Sequence, residues 1–365
     1  MLVKYDEGLL QISNAIRQYY GLEIYHQADK AVYQWLDEHQ FKTLIVLMID
    51  GMGARNLKQH LSKDHFLLKH MHKEVPTVFP PTTTAATTAF LTGKSPKETA
   101  WLGWSQYFKE VDDTVVLFRN ESLYDRTKYP NLSYHTLPIT PIFSQLSANG
   151  ITVKTINPSW DVDGTDDLAE FIDKILQAAS TKTGFIYGYF DQLDAMMHKY
   201  GPSSEKVAKM LELIDQKLAY LAQKLDKDCG LLIVADHGQV DVQAKCIDDY
   251  PDILACLKRK PSLEARCISF DVKDDQHANF EKAFRKHFNE DFALLSHEEA
   301  IRMNLFGINE AHERFADFVG DYVAIGCTDV SLFPYKRNDK GDHAGSKEKE
   351  IMIPLITVPK MEHKK

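Results

Sequence analysis

Residues 43–53 read TLIVLMIDGMG. From Leu44 to Ile49 the run is apolar without alternation, which suits a strand buried on both faces, as in a parallel sheet. It stops at Asp50-Gly51. The pattern returns at GLLIVADHGQ (230–239), where the run ends in Asp236-His237-Gly238. A third version is GFIYGYFDQLDAMMHKYGP (184–202), whose strand-like start ends in carboxylates. Helical stretches lie between, at 142–148, 166–179 and 203–224, and the opening forty residues are amphipathic, with Leu9, Ile12, Ile16 and Tyr19 at helical spacing. Alternation of this kind predicts an α/β fold with a mainly parallel central sheet flanked by helices. Ligand sites of such sheets lie beyond the carboxyl ends of the strands. Three strands here deliver acids to that edge.

Residues 247–325 read differently. ARCISFDVK and DFALLSHEEA look like short strands flanking the helix FEKAFRKHF. They predict a small α+β subdomain inserted into a core formed by 1–246 and 326–365. The core closes with GDHAG (341–345) and the apolar strand IMIPLITV. There is no internal repeat and no low-complexity linker.

A chain of 365 residues is long enough for a large core, and its 44% hydrophobic and 26% charged content is ordinary for a globular protein. No run approaches the ~18 apolar residues of a membrane span. The first twenty residues mix charges into apolar positions and offer no small-residue cleavage site, which reads as no signal peptide and a cytoplasmic setting. Five cysteines at wide spacings, with no CxxC, speak against a disulfide framework or a thiolate zinc site. A formal charge of −9 speaks against binding nucleic-acid polymers through a basic surface. The short basic runs LKRK (257–260) and KMEHKK at the end read as solvated surface.

The polar residues at the strand ends are potential ligands: Asp50, Asp194, His198, Asp236, His237 and His343. Asp194 and His198 are four apart, so on a helix they share a face and can grip one ion. Asp236 and His237 can both point at one centre from a sharp loop. Each has an ordinary alternative. DG after a strand is often only a turn, DHG can satisfy backbone groups, DxxxH is commonly a surface pair, and GDHAG can be a flexible loop. Their conjunction at one sheet edge outweighs those readings. Carboxylate and imidazole without thiolate suit Zn²⁺, or else Mn²⁺ or Fe.

VFPPTTTAATTAFLTG (78–93) holds six threonines where a helix starts. Threonine is a mediocre helix former, so the plain reading is a cap after Pro-Pro. Beside a metal, a threonine hydroxyl at a helix N-terminus is instead a nucleophile.

IDGMG, a Pro-Thr-rich segment ending in LTG, DxxxHxxGP, ADHG and GDHAG stand here in the order that resembles the alkaline phosphatase superfamily, its type I phosphodiesterase / nucleotide pyrophosphatase branch above all. The resemblance spans residues 50–345. It implies two zinc ions, one held by Asp194, His198 and His343. Asp50, Asp236 and His237 would hold the other, which the nucleophile also touches. Counting back from Thr92 makes the nucleophile Thr83, with Thr82 and Thr84 as alternatives. The asparagine that relatives place after the nucleophile has Trp104 as its ungapped equivalent, while Asn120 in RNESLYD lies sixteen residues later.

The implied activity is metal-dependent hydrolysis of a phosphoric diester or nucleotide pyrophosphate, on a small-molecule phosphate ester or nucleotide, through a phosphothreonine that water resolves. Phosphomonoester and phosphonate hydrolysis are the alternatives on the same site. A sulfatase needs a modifiable Cys or Ser that TTTAATT lacks. A cofactor-independent phosphoglycerate mutase needs a serine and further ligands. A non-catalytic metal-binding module is the alternative of another class.

Overall fold

The computed structural model describes residues 3–358; the tail KMEHKK lies outside them. The expected strand is β1 (Thr43–Ile49), every residue of it buried. It is joined in one sheet by β2 (Met71–Pro76), β3 (Val153–Ile156), β4 (Phe185–Phe190), β5 (Cys229–Val234) and β6 (Met352–Val358), in the order β2-β6-β5-β1-β4-β3. β1 pairs in parallel with both neighbours, Ile49 opposite Phe190 and Met48 opposite Val234. β3 continues the parallel set, whereas β6 runs antiparallel between β5 and β2.

Helices cover both faces. α1 (Leu9–Tyr19) and α2 (Lys30–His39) divide the opening segment, and α3 (Thr83–Thr92) carries the threonines. α4 (Leu168–Ala179), α5 (Gln192–Tyr200) and α6 (Glu205–Lys224) follow β3 and β4. The expected helices at 166–179 and 203–224 each begin two residues later, because Asp167 and Ser204 stand outside as N-caps. Their side chains accept from Glu170 N and Val207 N. Among the described residues no helix is long and apolar enough to cross a membrane.

Beside this layer stands a second sheet of seven strands. It contains Cys267–Phe270 and Phe292–Ser296, as expected, with the helix His277–Phe288 packed on it through Phe280, Phe284 and Phe288. Only the first half of DFALLSHEEA is strand. Ser296 and Glu299 form a capping box that turns the rest into a helix. The sheet also takes in Ser105–Phe108, Asp113–Val116 and Glu121–Ser122, far outside 247–325, through the pairing of Leu263 with Ser105. The strand Tyr322–Gly326 lies across the expected boundary at 325. These are strands of two to five residues, too short for a period, and they are fixed by distant partners. All five cysteines are free.

Candidate metal centre and nucleophile

The carboxyl edge of the central sheet gathers the expected ligands. Asp50 is the first residue after β1, and its amide donates to Phe190 O at 2.9 Å. Asp236 and His237 follow β5, and Asp194 and His198 sit on α5, directly after β4. His343 arrives from the far end of the chain. Gly341–Asp342 pairs with Val240–Asp241, so GDHAG is stitched to the loop that carries His237.

Two sets result. Potential ligand atoms of Asp194, His198 and His343 lie within 4.8 Å of one another, and so do those of Asp50, Asp236 and His237. His237 Nε2 lies 3.3 Å from Asp50 Oδ1 and 3.5 Å from Asp236 Oδ2. His198 Nε2 lies 3.4 Å from Asp194 Oδ2.

Main-chain groups fix the imidazoles. Nδ1 of His198 faces Gly341 O at 2.9 Å, that of His237 faces Gly238 O at 3.1 Å, and that of His343 faces Pro81 O at 3.1 Å. A carbonyl only accepts, so each Nδ1 carries the hydrogen and each Nε2 keeps a lone pair for a ligand bond. Pro81 thus does more than start a helix.

The carboxylates are held as well. The Tyr189 hydroxyl donates to Asp50, and Gln239 Nε2 donates to Asp194. Asp236 Oδ1 accepts from the amides of Gly51 (3.1 Å) and His237 (2.9 Å). Gly51 has φ +73°, and a Cβ there would sit 3.3 Å from Asp194, so a glycine lets the end of β1 lie close to α5. Asp236 Oδ2 is fully buried and has no hydrogen-bond partner among the described residues. An ionised oxygen in that position calls for a cation.

The charge balance agrees. Burial first, then Asp236 and Asp194, push the Asp50 carboxyl well above the usual range. Burial, then His237 and His198, hold His343 well below the ordinary histidine value. Burial works against charge on His198, but Asp194, Asp342 and Asp339 outweigh it and raise its pKa. Acids crowded into a dry site, next to a His343 imidazole kept neutral, are what divalent cations relieve.

At this edge α3 begins. Thr82 is its N-cap residue, yet its hydroxyl makes no capping bond and donates instead to Glu264 Oε1 at 2.5 Å. The Thr83 hydroxyl lies 3.1 Å from His237 Nε2 and 3.5 Å from both Asp50 oxygens. Thr84 is buried inside the helix, and its hydroxyl has no hydrogen-bond partner among the described residues. Thr87 and Thr92 bond back to the carbonyls of Thr83 and Thr88. Ser13 and Asn14 of α1 bond to Phe90 O and Gly93 O, so the far end of α3 is fixed too.

A cleft of about 860 Å³ opens over Thr83, Asp194, His198 and His343. Trp104 lines it under the Arg119 guanidinium, which stands 5.4 Å from the ring centroid. Arg126, Lys199, Arg337 and Lys340 line it as well, Arg126 paired with Glu121 and Arg337 with Asp339. Asn120 is not in the wall; its Oδ1 accepts from Ser133 N at 2.7 Å and braces the following turn. Glu264 is in the wall. Its Oε1 accepts from both Thr82 and Trp104 N (2.6 Å), and burial pushes its carboxyl up to about 7. Nothing near it in the sequence marks this glutamate, because Thr82 stands 182 positions away.

Residues 44–347 match the sequence profile of the family described as Type I phosphodiesterase / nucleotide pyrophosphatase. Ectonucleotide pyrophosphatase/phosphodiesterase family member 7 of Rattus norvegicus is 30% identical over 91 residues, 24% of this chain and 20% of that protein. GPI ethanolamine phosphate transferase 3 of Eremothecium gossypii is 24% identical over 132 residues, 35% of this chain and 12% of that protein. The matched stretches therefore span no more than 20% of these relatives. Murine ectonucleotide pyrophosphatase / phosphodiesterase 5 superposes with a TM-score of 0.67 at 18% identity, covering 86% of this chain and 87% of that one. An inactive threonine-to-alanine variant of that murine protein, in complex with AMP, gives 0.66 at 17%, with the same coverage. At such identity the likeness is one of fold, and it fits the α/β architecture described above. With residues 44–347 matched, the chain belongs to the type I phosphodiesterase / nucleotide pyrophosphatase family.

Proposed function

We propose that this protein is a metal-dependent hydrolase of phosphoric diesters or nucleotide pyrophosphate bonds, with Thr83 as its nucleophile. One observation carries the reading: the Thr83 hydroxyl stands at the start of α3, 3.1 Å from His237 Nε2, at the edge where two complete three-residue ligand sets meet. Asp50, Asp236 and His237 would hold one ion, and Asp194, His198 and His343 the other, Zn²⁺ before Mn²⁺ or Fe on donor chemistry. Such ions lower the pKa of a nearby hydroxyl and neutralise charge on the reacting phosphoryl group.

The chain's own residues do the rest. Thr83 Oγ1 attacks phosphorus in line with the departing oxygen. A P–O bond forms to Thr83, the bond to the leaving alcohol or phosphate breaks, and the hydroxyl proton is lost to solvent. Water then attacks the phosphothreonine, the P–Oγ1 bond breaks, and Thr83 regains its proton. The α3 N-terminus favours the phosphoryl anion. Trp104 offers a stacking face, and Lys199 and Lys340 in the wall draw anions into the cleft. A nucleotide-type substrate suits that wall. The murine neighbour captured with AMP, inactive as a threonine-to-alanine variant, supports the same reading.

Acid quench during turnover of a ³²P-labelled diester should leave phosphate on the peptide that contains Thr83. Paired assays on matched monoesters, phosphonates and diesters should show the diester turned over fastest. Turnover with no label on the protein would move the attack to water.

A further inference from the structure

Beneath the two histidine loops lies an ion pair that no proposed ligand uses. Arg266 Nε and Nη2 donate to Glu350 Oε1 and Oε2 at 2.7 and 2.9 Å, and both side chains are fully buried. Arg266 Nη1 donates to Val330 O at 2.8 Å. Glu350 also accepts from the backbone on three sides. Its Oε1 takes Gly345 N at 2.7 Å, its Oε2 takes Lys347 N at 3.1 Å, and its own carbonyl takes Gly238 N at 2.9 Å. Gly345 lies two residues after His343, and Gly238 one residue after His237. The Glu350 carboxylate therefore grips the His343 loop, while the main-chain carbonyl of the same residue grips the His237 loop. The fit is close: a Cβ on Gly345 would stand 2.7 Å from Arg266 Nη2 and 2.8 Å from Glu350 Oε1.

We infer that the Arg266–Glu350 pair is a positioning device: its carboxylate fixes the His343 loop and seats residue 350, whose carbonyl holds the His237 loop, and so couples binding of the two ions; this rests on the two-metal reading above. Two apolar side chains could fill the same volume without the cost of burying charge. They could not accept from the amides at 345 and 347. The planar guanidinium fork sets the plane of the carboxylate, and that plane aims its remaining lone pairs at the loop. Because both loops hang on Glu350, ordering one by a bound ion orders the other in advance, which makes the second ion bind more easily. Arg266 stands two residues after Glu264, which holds Thr82, so this turn between two strands of the second sheet reaches the nucleophile helix as well.

The test titrates metal-free protein with Co²⁺, followed by visible absorption, on wild type, Glu350→Gln and the double variant Arg266→Met/Glu350→Leu. Near-UV circular dichroism checks that each is folded. Wild type should take two equivalents in one steep step. The variants should bind on the order of 10–100-fold more weakly, with the two equivalents resolved into separate steps. Folded variants with both wild-type affinities would overturn the inference and leave the two-metal reading standing. A wild type that takes fewer than two equivalents would overturn both. Hydrogen exchange on wild type decides the matter if neither variant folds. One equivalent of Co²⁺ should protect the amides at 238 and 345 together, and protection of one loop alone would overturn the coupling.

Discussion

The imidazoles of His237 and His343 stack with centroids 3.8 Å apart and planes 23° apart, although each belongs to a different ligand set. Beside burial, that contact counts against a charge on His343. With burial as the larger cause, His343 titrates well below the unfolded value of about 6.5. As pH falls below about 6.5, the unfolded chain takes a proton at this position that the folded chain refuses, so His343 costs stability in acid. In EDTA, wild type should lose stability relative to His343→Asn as pH drops from 7.5 to 5. Urea unfolding of the two proteins measures this, and parallel curves would remove the effect.

Asp50 behaves in the opposite sense. Its folded carboxyl is raised, by burial first and then by Asp236 and Asp194. Without metal, the folded chain holds a proton that the unfolded chain releases above about 3.9, so stability falls as pH rises. Asp50→Asn should therefore melt higher than wild type in EDTA at pH 7. The same variant should lose the ion of its own set, by elemental analysis, and most activity. A lower melting temperature in EDTA would show that Asp50 is held chiefly by favourable bonds and not by a missing cation.

Thr82 and Thr83 are neighbours with different tasks. Thr83→Ala should cut turnover at least about 1,000-fold, Thr83→Ser should keep a measurable part, and neither should cost more than about 1 kcal/mol, since this hydroxyl caps nothing. Thr82→Ala should instead cost roughly 1–3 kcal/mol by leaving the Glu264 carboxyl short of a donor. Its turnover loss should be far smaller. Steady-state rates and thermal melts on the three variants settle the assignment, and full activity in Thr83→Ala would end it.

Glu264 has a folded pKa of about 7, raised mainly by burial, against about 4.3 unfolded. The folded chain keeps this proton between those values and the unfolded chain does not, so the wild type loses stability as pH rises from 4.3 to 7. Glu264→Gln keeps an acceptor for Thr82 and Trp104 without the charge. Its stability relative to wild type should grow from pH 5 to pH 8. A constant difference across that range would show an ionised Glu264 throughout.

Most of the candidate ligands were legible because they follow a readable element. Asp50 and Asp236 end unbroken apolar runs, and Asp194 and His198 keep helical spacing, so local order alone sets where they point. The helix starts at Asp167 and Ser204 were readable to within a residue or two for the same reason. The prolines before α3 were read as setting up a helix cap, whereas Pro81 also orients His343, 262 positions away. Trp104 and Asn120 stood as equals in the sequence; only Trp104 reaches the cleft.

By itself the sequence determined the parallel core, the acids at its carboxyl edge and the helix that begins at the threonines, since periodicity and strand ends are local properties of the chain. Only the tertiary structure decided which hydroxyl faces the ligands, that 105–122 shares a sheet with 262–326, and that Tyr189, Gln239, Glu264, Arg266 and Glu350 support the site. Those roles rest on hydrogen bonds and ion pairs a few ångströms long between residues distant in the chain, and such contacts leave no period or spacing in the sequence.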